Sequence, residues 1–478
     1  MENAAAHNFW PLVLAVLTIL VPVIATGHIV LTKRDTKAAI GWAGVVWLAP
    51  YLGTVLYLIF GINRIRRRAS RLRPQPAHPR TRRPGGERRR STDQTGEDRT
   101  FSDLITNITG LPLTQGNRVT PLVNGEAAYP EMIAAIDDAT HTVALSTYIF
   151  DNDRAGTMFA DALAAATARG VEVRVLVDSM GGRYSFPRML SRLNRRGVPV
   201  AEFLHSFIPW RMNYLNLRNH RKILVADGRV GFTGGMNIRE GHLVESAGKR
   251  AIQDLHFKVE GPVVEQLMNM FAEDWAFATG EVLSGDGWFP TLEEKGEVAA
   301  RGIAAGPDED FDRLRWVLMA ALAEARHAVR IITPYFVPED VTTTALNLAA
   351  MSGIELDILV PARNNLKMVQ WASQGHMPQL LEHGCRIWET PPPFDHTKLM
   401  LVDDRWALIG SANWDPRSLF LNFEFNLECY GRALVRELIA LFESKRAAAR
   451  QITLDDLRNR PLPVKLRDGF ARMLSPYL

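Results

Sequence analysis

The chain has 478 residues, 47% of them apolar and 23% charged, a length that fits two or three domains and a composition that excludes disordered, collagen-like and purely coiled-coil chains. Two cysteines, Cys385 and Cys429, exclude a disulfide scaffold and a four-cysteine zinc site. The net charge of +4 is unevenly spread: twelve arginines and one acid, Glu87, lie between Arg64 and Arg90, so the rest of the chain is net acidic.

Residues Phe9–Leu31 carry no charge. As a helix they reach roughly 34 Å, enough for a ~30 Å hydrocarbon core. A second uncharged run, Ala38–Gly61, follows a short polar break at Lys33-Arg34-Asp35-Thr36-Lys37. Two spans so close together predict a transmembrane helical hairpin over residues 1–61, with both ends on one side. Pro11, Pro22 and Pro50 are tolerable in such helices. A signal peptide fits less well, because no basic residue precedes the first run and a second run follows at once. The arginine cluster starts where the second run ends. The positive-inside rule then puts the N-terminus and everything after the hairpin in the cytoplasm. The same arginines could attract anionic headgroups, at about 1 kcal/mol per charge near the surface. A pure topology signal would need the same residues. Residues 62–100 read as an arginine-rich flexible linker.

The remainder reads as one unit repeated, 101–279 and 296–478, with a turn-rich connection at 280–295. Met132–Phe150 and Leu318–Phe336 both read as an amphipathic helix followed by an apolar strand ending in an aromatic. Gly170–Val177 and Gly353–Val360 each place a helix-stopping glycine before a strand. Alternating helices and strands predict an α/β fold: two pseudo-symmetric halves, each a mixed β-sheet flanked by helices.

The closest correspondence comes last in each half. Asn219-His220-Arg221-Lys222, with Asp227, Gly234, Gly235 and Asn237, matches Asp395-His396-Thr397-Lys398, with Asp403, Gly410, Ser411 and Asn413, without a gap. A histidine and a lysine two apart on a strand share a face. Two such strands related by a pseudo-two-fold axis bring two histidines and two lysines together. Lys222, Lys398, Asn237 and Asn413 then suit an anion clamp for a phosphoryl group. One neutral histidine can attack phosphorus while the other, protonated, serves the leaving oxygen. The lysines supply the positive charge, so no metal or other cofactor is expected. A lone histidine is usually a satisfied core or surface residue; a paired, symmetric set is poorly explained that way.

The duplicated motif resembles the signature of the phospholipase D superfamily and is most similar to bacterial cardiolipin synthases. Ala39–Trp42, Pro50–Gly53, Thr333–Pro338, Gly410–Ser418, Leu421–Glu424 and Leu474–Leu478 carry that narrower likeness. It implies that Asp254 orients His396 and Glu424 orients His220, with His220 the nucleophile and His396 the acid. Sequence symmetry alone leaves that last choice open. Asp227 and Asp403, counted with the catalytic motif, are expected to make structural ion pairs outside the reaction centre. Two departures stand out: Gly235 faces Ser411 across the repeat, and an acid, Asp395, precedes His396. The implied reaction joins two phosphatidylglycerol molecules into cardiolipin and glycerol through a phosphohistidine. Hydrolysis to phosphatidic acid is the alternative, and a nuclease is a third reading. A nucleic-acid partner is not expected, since the arginine cluster lies beside the membrane and the remaining chain is acidic.

Overall fold

The computed structural model describes residues 2–33, 36–61, 96–183, 186–203, 217–307 and 312–475. The Arg64–Arg90 cluster, most of the expected linker, and Arg34 and Asp35 of the polar break lie outside the described residues. The chain forms two compact units, the N-terminal helices and the repeated part.

In the N-terminal unit the first apolar run lies within one helix, Glu2–Thr32, of which Val13–Thr32 is long and apolar enough to cross a membrane. The second run departs from the single span expected. It forms a helix Thr36–Leu48, a second helix Pro50–Leu56 and a π turn Tyr57–Gly61. Pro50 disfavours helical geometry in the residue before it, and Ala49 leaves the helix at φ −138°, ψ 78°. Gly53 permits the bend, since a Cβ there would lie 2.2 Å from the Val45 carbonyl oxygen. The helices pack through Ala25, Ile29, Val46 and Tyr57. Polar side chains pair across them: the Thr18 and Tyr51 hydroxyls are 2.8 Å apart, and Trp47 Nε1 donates to Thr26 Oγ1 at 3.0 Å. Such pairs satisfy polar side chains on otherwise apolar helices.

The first half contains β1 (Thr114–Val123), β2 (Thr142–Thr147), β3 (Glu172–Asp178), β4 (Val200–Phe203), β5 (Arg218–Asn219), β6 (Ile223–Ala226), β7 (Val230–Gly234), β8 (Ile252–Gln253) and β9 (Leu255–Glu260). The second contains β10 (Val298–Ala305), β11 (Ala328–Ile332), β12 (Glu355–Pro361), β13 (Arg386–Thr390), β14 (Phe394–Asp395), β15 (Leu399–Val402), β16 (Trp406–Gly410), β17 (Asn422–Tyr430) and β18 (Arg450–Ile452). The halves share one strand order. In the first it runs β1-β9-β7-β6-β2-β3-β4; in the second, β10-β17-β16-β15-β11-β12-β13, with β18 added at the edge. β2-β3-β4 and β11-β12-β13 are parallel and the other pairings along each path are antiparallel, except that β18 also runs antiparallel to β13, so each sheet is mixed. The antiparallel pair β1–β10 joins the two sheets edge to edge.

Helices cover the sheets with the apolar faces that their periodicity encodes. Met132, Ile136, Phe159 and Leu163 bury against the first sheet, and Val317, Leu318, Leu346 and Met377 against the second. The helix Gly96–Thr109 begins inside the expected linker, and its Phe101 and Ile105 join the core of the second half. Arg301 on β10 reaches this helix, donating to Ser102 O and Thr106 Oγ1 while it pairs with Glu428 on β17. Arg301 and Glu428 are both fully buried. Removing one partner from such a pair strands the other charge, at about 3–5 kcal/mol. Arg301→Met should therefore lower the melting temperature markedly, and adding Glu428→Gln should recover part of the loss. Circular dichroism melts check this; an unchanged melting temperature in Arg301→Met would contradict it.

Candidate active site

Each His-x-Lys segment sits immediately before the middle strand of its half, β6 or β15, and is stitched to the other half by backbone. β5 runs parallel to the start of β17, and His220 N donates to Phe423 O at 2.9 Å. β14 runs parallel to β8, and His396 N donates to Gln253 O at 2.7 Å. In each case the accepting residue directly precedes a carboxylate of the opposite half. Glu424 Oε2 thereby lies 2.9 Å from His220 Nδ1, and Asp254 Oδ2 lies 2.7 Å from His396 Nδ1. A carboxylate on Nδ1 fixes the proton there and leaves the Nε2 lone pair available. Both imidazoles line one cavity of about 220 Å³, together with Asn237 and Asn413.

The two carboxylates are supported differently. Glu424 accepts from Ser411 Oγ at 2.5 Å and from Asn422 Nδ2 at 3.2 Å. Burial would raise its pKa, but His220, Lys222 and Ser411 outweigh this and hold it below the usual carboxylate value. Asp254 accepts from Leu255 N at 2.8 Å, and burial pushes its pKa up. The Gly235–Ser411 departure has the same origin. A Cβ on Gly235 would lie 2.2 Å from Asp254 Oδ1, so the shorter acid needs glycine beside it, whereas the longer Glu424 receives the serine hydroxyl.

Lys222 and Lys398 are buried beneath the histidines and do not line the cavity. Lys222 Nζ donates to His220 O at 2.6 Å, and Lys398 Nζ donates to His396 O. Each ammonium group is thus tied to the backbone of its own histidine. Burial pushes Lys222 down to about 7 and Lys398 to about 8. Burial also lowers both histidines, with Glu424 opposing the shift at His220 and Lys398 reinforcing it at His396. Asn237 Oδ1 accepts from Ile149 N at 3.1 Å, and Asn413 Nδ2 donates to Ser418 Oγ at 3.2 Å.

The acid before His396 does not face a bound anion unopposed. Asp395 is buried against Lys445, whose Nζ lies 2.6 Å away. At the corresponding place Asn219 Nδ2 donates to Asp274 Oδ2 at 2.9 Å, and Asp274 pairs with Arg221. Cavity residues that the motif did not point to include Tyr148, Tyr335, Arg218, Arg239, His242 and Arg417. The two tyrosines lie with ring centroids 5.2 Å from His220 and 6.1 Å from His396. They stand just beyond the parallel strands β2 and β11, in the aromatic endings of the sequence repeat.

Asp227 and Asp403 require a correction. Neither lines the cavity, as expected, but backbone N–H donors hold them where ion pairs were expected. Each occupies the first turn position after the middle strand, at φ 50° and 53°, a region that aspartate tolerates better than most residues. Asp227 accepts backbone N–H bonds from Thr140, His141 and Thr142 at 2.7–2.9 Å. Asp403 accepts them from Arg326, His327 and Ala328, with Arg405 Nε a more distant 3.8 Å away. Each carboxylate thus anchors the entry to the neighbouring parallel strand. Asp227→Asn should destabilise the fold by about 1–3 kcal/mol while folded protein keeps its turnover. Melting curves paired with activity per folded molecule test this; lost turnover at unchanged stability would put Asp227 back in the chemistry.

The comparisons with known proteins agree with this geometry. The family described as "Cardiolipin synthase, PLD-like domain" matches residues 132–275 and 318–446, and the phospholipase D-nuclease N-terminal family matches residues 16–61. Cardiolipin synthase 1 of Bacillus anthracis is 32% identical, over 94% of this chain and 91% of its own length. The cardiolipin synthase of Geobacillus kaustophilus is 31% identical, over 94% and 90%. The crystal structure of phosphatidylserine synthase from Haemophilus influenzae superposes with a TM-score of 0.61 at 15% identity, covering 79% of this chain and all of that one, and so shares the fold. With both repeats matched and relatives aligned over nearly its whole length, this chain belongs to the phospholipase D-like cardiolipin synthase family.

Proposed function

We propose that this chain is a membrane-associated cardiolipin synthase. It transfers a phosphatidyl group from one phosphatidylglycerol to the glycerol headgroup of a second and releases glycerol. The observation that carries this reading is the pair of imidazoles on one cavity, each with Nδ1 held by a carboxylate of the other half. In the first step Nε2 of His220 attacks phosphorus, and protonated His396 gives its proton to the leaving glycerol oxygen. In the second, His396 takes the proton of the incoming hydroxyl, the new P–O bond forms and the P–N bond breaks.

The unequal carboxylates support this division of labour. In a phosphohistidine with Nδ1 protonated the imidazole ring stays positively charged throughout its lifetime. It is best stabilised by Glu424, the carboxylate held ionised by its neighbours. His396 has its pKa driven well below the ordinary value by burial and then by Lys398, which makes its cation a strong acid for an alkoxide leaving group. A bound phosphodiester favours that cation. Lys222 and Lys398 add positive field from behind the imidazoles, where low dielectric strengthens it. The Arg64–Arg90 cluster favours a two-span hairpin with the catalytic part on the cytoplasmic side.

Purified protein given phosphatidylglycerol in mixed micelles should yield cardiolipin and equimolar glycerol by mass spectrometry. His220→Ala and His396→Ala should each lower the rate about 10²–10⁴-fold or more. Phosphatidic acid as the product would make the chain a hydrolase, and normal turnover in either variant would sink the histidine pair. The pH profile has a definite sign. His220, lowered by burial, must be neutral to attack, so the acid limb of kcat/KM lies below pH 6.5; on the alkaline side His396 loses the proton it must donate, and Lys222 and Lys398, at about 7 and about 8, lose charge between pH 7 and 9, weakening capture of an anion by the empty site. So kcat/KM should fall between pH 7 and 9, while kcat, read with the anion bound, falls at higher pH. A flat kcat/KM over that range would contradict the lysine role.

A further inference from the structure

Besides the two histidines, Arg218, Arg239 and Arg417 line the cavity. Arg218 on β5 stands opposite Asn422 in the parallel pairing with β17. Arg417 lies on the short helix Pro416–Phe420 that leads into β17. Both line the cavity beside His220. Two acids, Asp178 and Asp415, stand near these arginines and also accept backbone hydrogen bonds. Asp178 accepts from Asn219 N at 2.8 Å and Met180 N at 2.9 Å, and Asp415 accepts from Ser418 N at 2.7 Å. On the other side, Arg239 pairs with Asp151 at 3.2 Å.

The transfer reaction brings two anions together, since the acceptor has a phosphodiester of its own a three-carbon glycerol away from the attacking hydroxyl. Like charges in a low-dielectric pocket repel strongly unless each has its own cations. Guanidinium forks suit phosphate oxygens. We propose that Arg218 and Arg417 form a second anion subsite, which holds the acceptor lipid's phosphodiester and sets its hydroxyl toward phosphorus on His220. This inference rests on the transfer reading above.

Two reactions of the full-length protein separate the subsites. Cardiolipin formation uses an anionic acceptor; exchange of isotope-labelled free glycerol into phosphatidylglycerol uses a neutral one. Arg417→Gln should lower cardiolipin formation relative to exchange by about ten- to a hundredfold, and Arg417→Lys should restore part of that ratio. Both rates falling in proportion, or neither moving, would overturn the subsite. Failure of the unsubstituted protein to catalyse either reaction would instead overturn the transfer reading.

The C-terminal helix Leu462–Met473 supports a separate inference. Its buried face, with Asp468 and Ala471, turns inward, and Ala471 joins the cluster of Val337 and Val369 that backs the cavity wall. The opposite face exposes Leu462, Leu466, Phe470 and Met473, each 63–75% accessible, at helical spacing. Lys465 and Arg472 flank that stripe on one side, and Arg467, which pairs with Asp468, stands on the other. An apolar stripe between basic flanks matches the interface of an anionic bilayer. We infer that this helix lies in the surface of an anionic membrane and holds the cavity at the lipid. Both native cysteines are buried, so an environment-sensitive label can be directed to Leu466→Cys. In nanodiscs of phosphatidylglycerol and phosphatidylcholine, brominated acyl chains should quench that label strongly, and a label at Glu293→Cys hardly at all. Absence of quenching at position 466, whether the label lies in water or against protein, would overturn the inference.

Discussion

The site depends on one device, used twice: an imidazole from one half hydrogen-bonded through Nδ1 to a carboxylate from the other. The His220–Glu424 and His396–Asp254 contacts, at 2.9 and 2.7 Å, fall where a parallel backbone bridge already ties the two halves. Backbone register therefore sets the chemistry. A slip of one residue in either bridge would turn the carboxylate away from its histidine, because successive strand residues face opposite sides. Neither half can build a complete site alone, which gives the duplication a functional reason beyond repetition.

Two-fold symmetry is broken at the two carboxylates. Glu424 receives Ser411 and Asn422 and stays ionised; Asp254 has glycine beside it and one backbone donor nearby. One methylene and one serine thus separate two otherwise matching imidazoles, a difference in line with the proposed division in which one carries the covalent bond and the other passes a proton. The two lysines are buried and bond the backbone carbonyls of the histidines two residues before them.

Much of this was legible in the chain itself. The gapless match around His220 and His396 gave the pairing of histidines, and the repeats of helix, glycine and strand gave the mixed sheets. Other features were not, each for a physical reason. Pro50 splits the second apolar run because of a local steric conflict that hydropathy does not register. The helix Gly96–Thr109 joins the core of the second half, and sequence order says nothing of such a crossing. Asp227 and Asp403 recur with the catalytic spacing, yet they are fixed by turn geometry and backbone donors rather than by substrate. Arg218 and Arg417 belong to no repeat and became visible only through the β5–β17 pairing.

The central claim is that His220 carries the phosphatidyl group. A donor with a p-nitrophenyl headgroup needs no acid to leave, so His396→Ala should form the intermediate from it and discharge it slowly. The account predicts a burst of one equivalent of p-nitrophenol and, after an alkaline quench, a covalent adduct on His220 by peptide mass spectrometry. An adduct on His396 in the reciprocal His220→Ala variant, or no burst in His396→Ala, would contradict it.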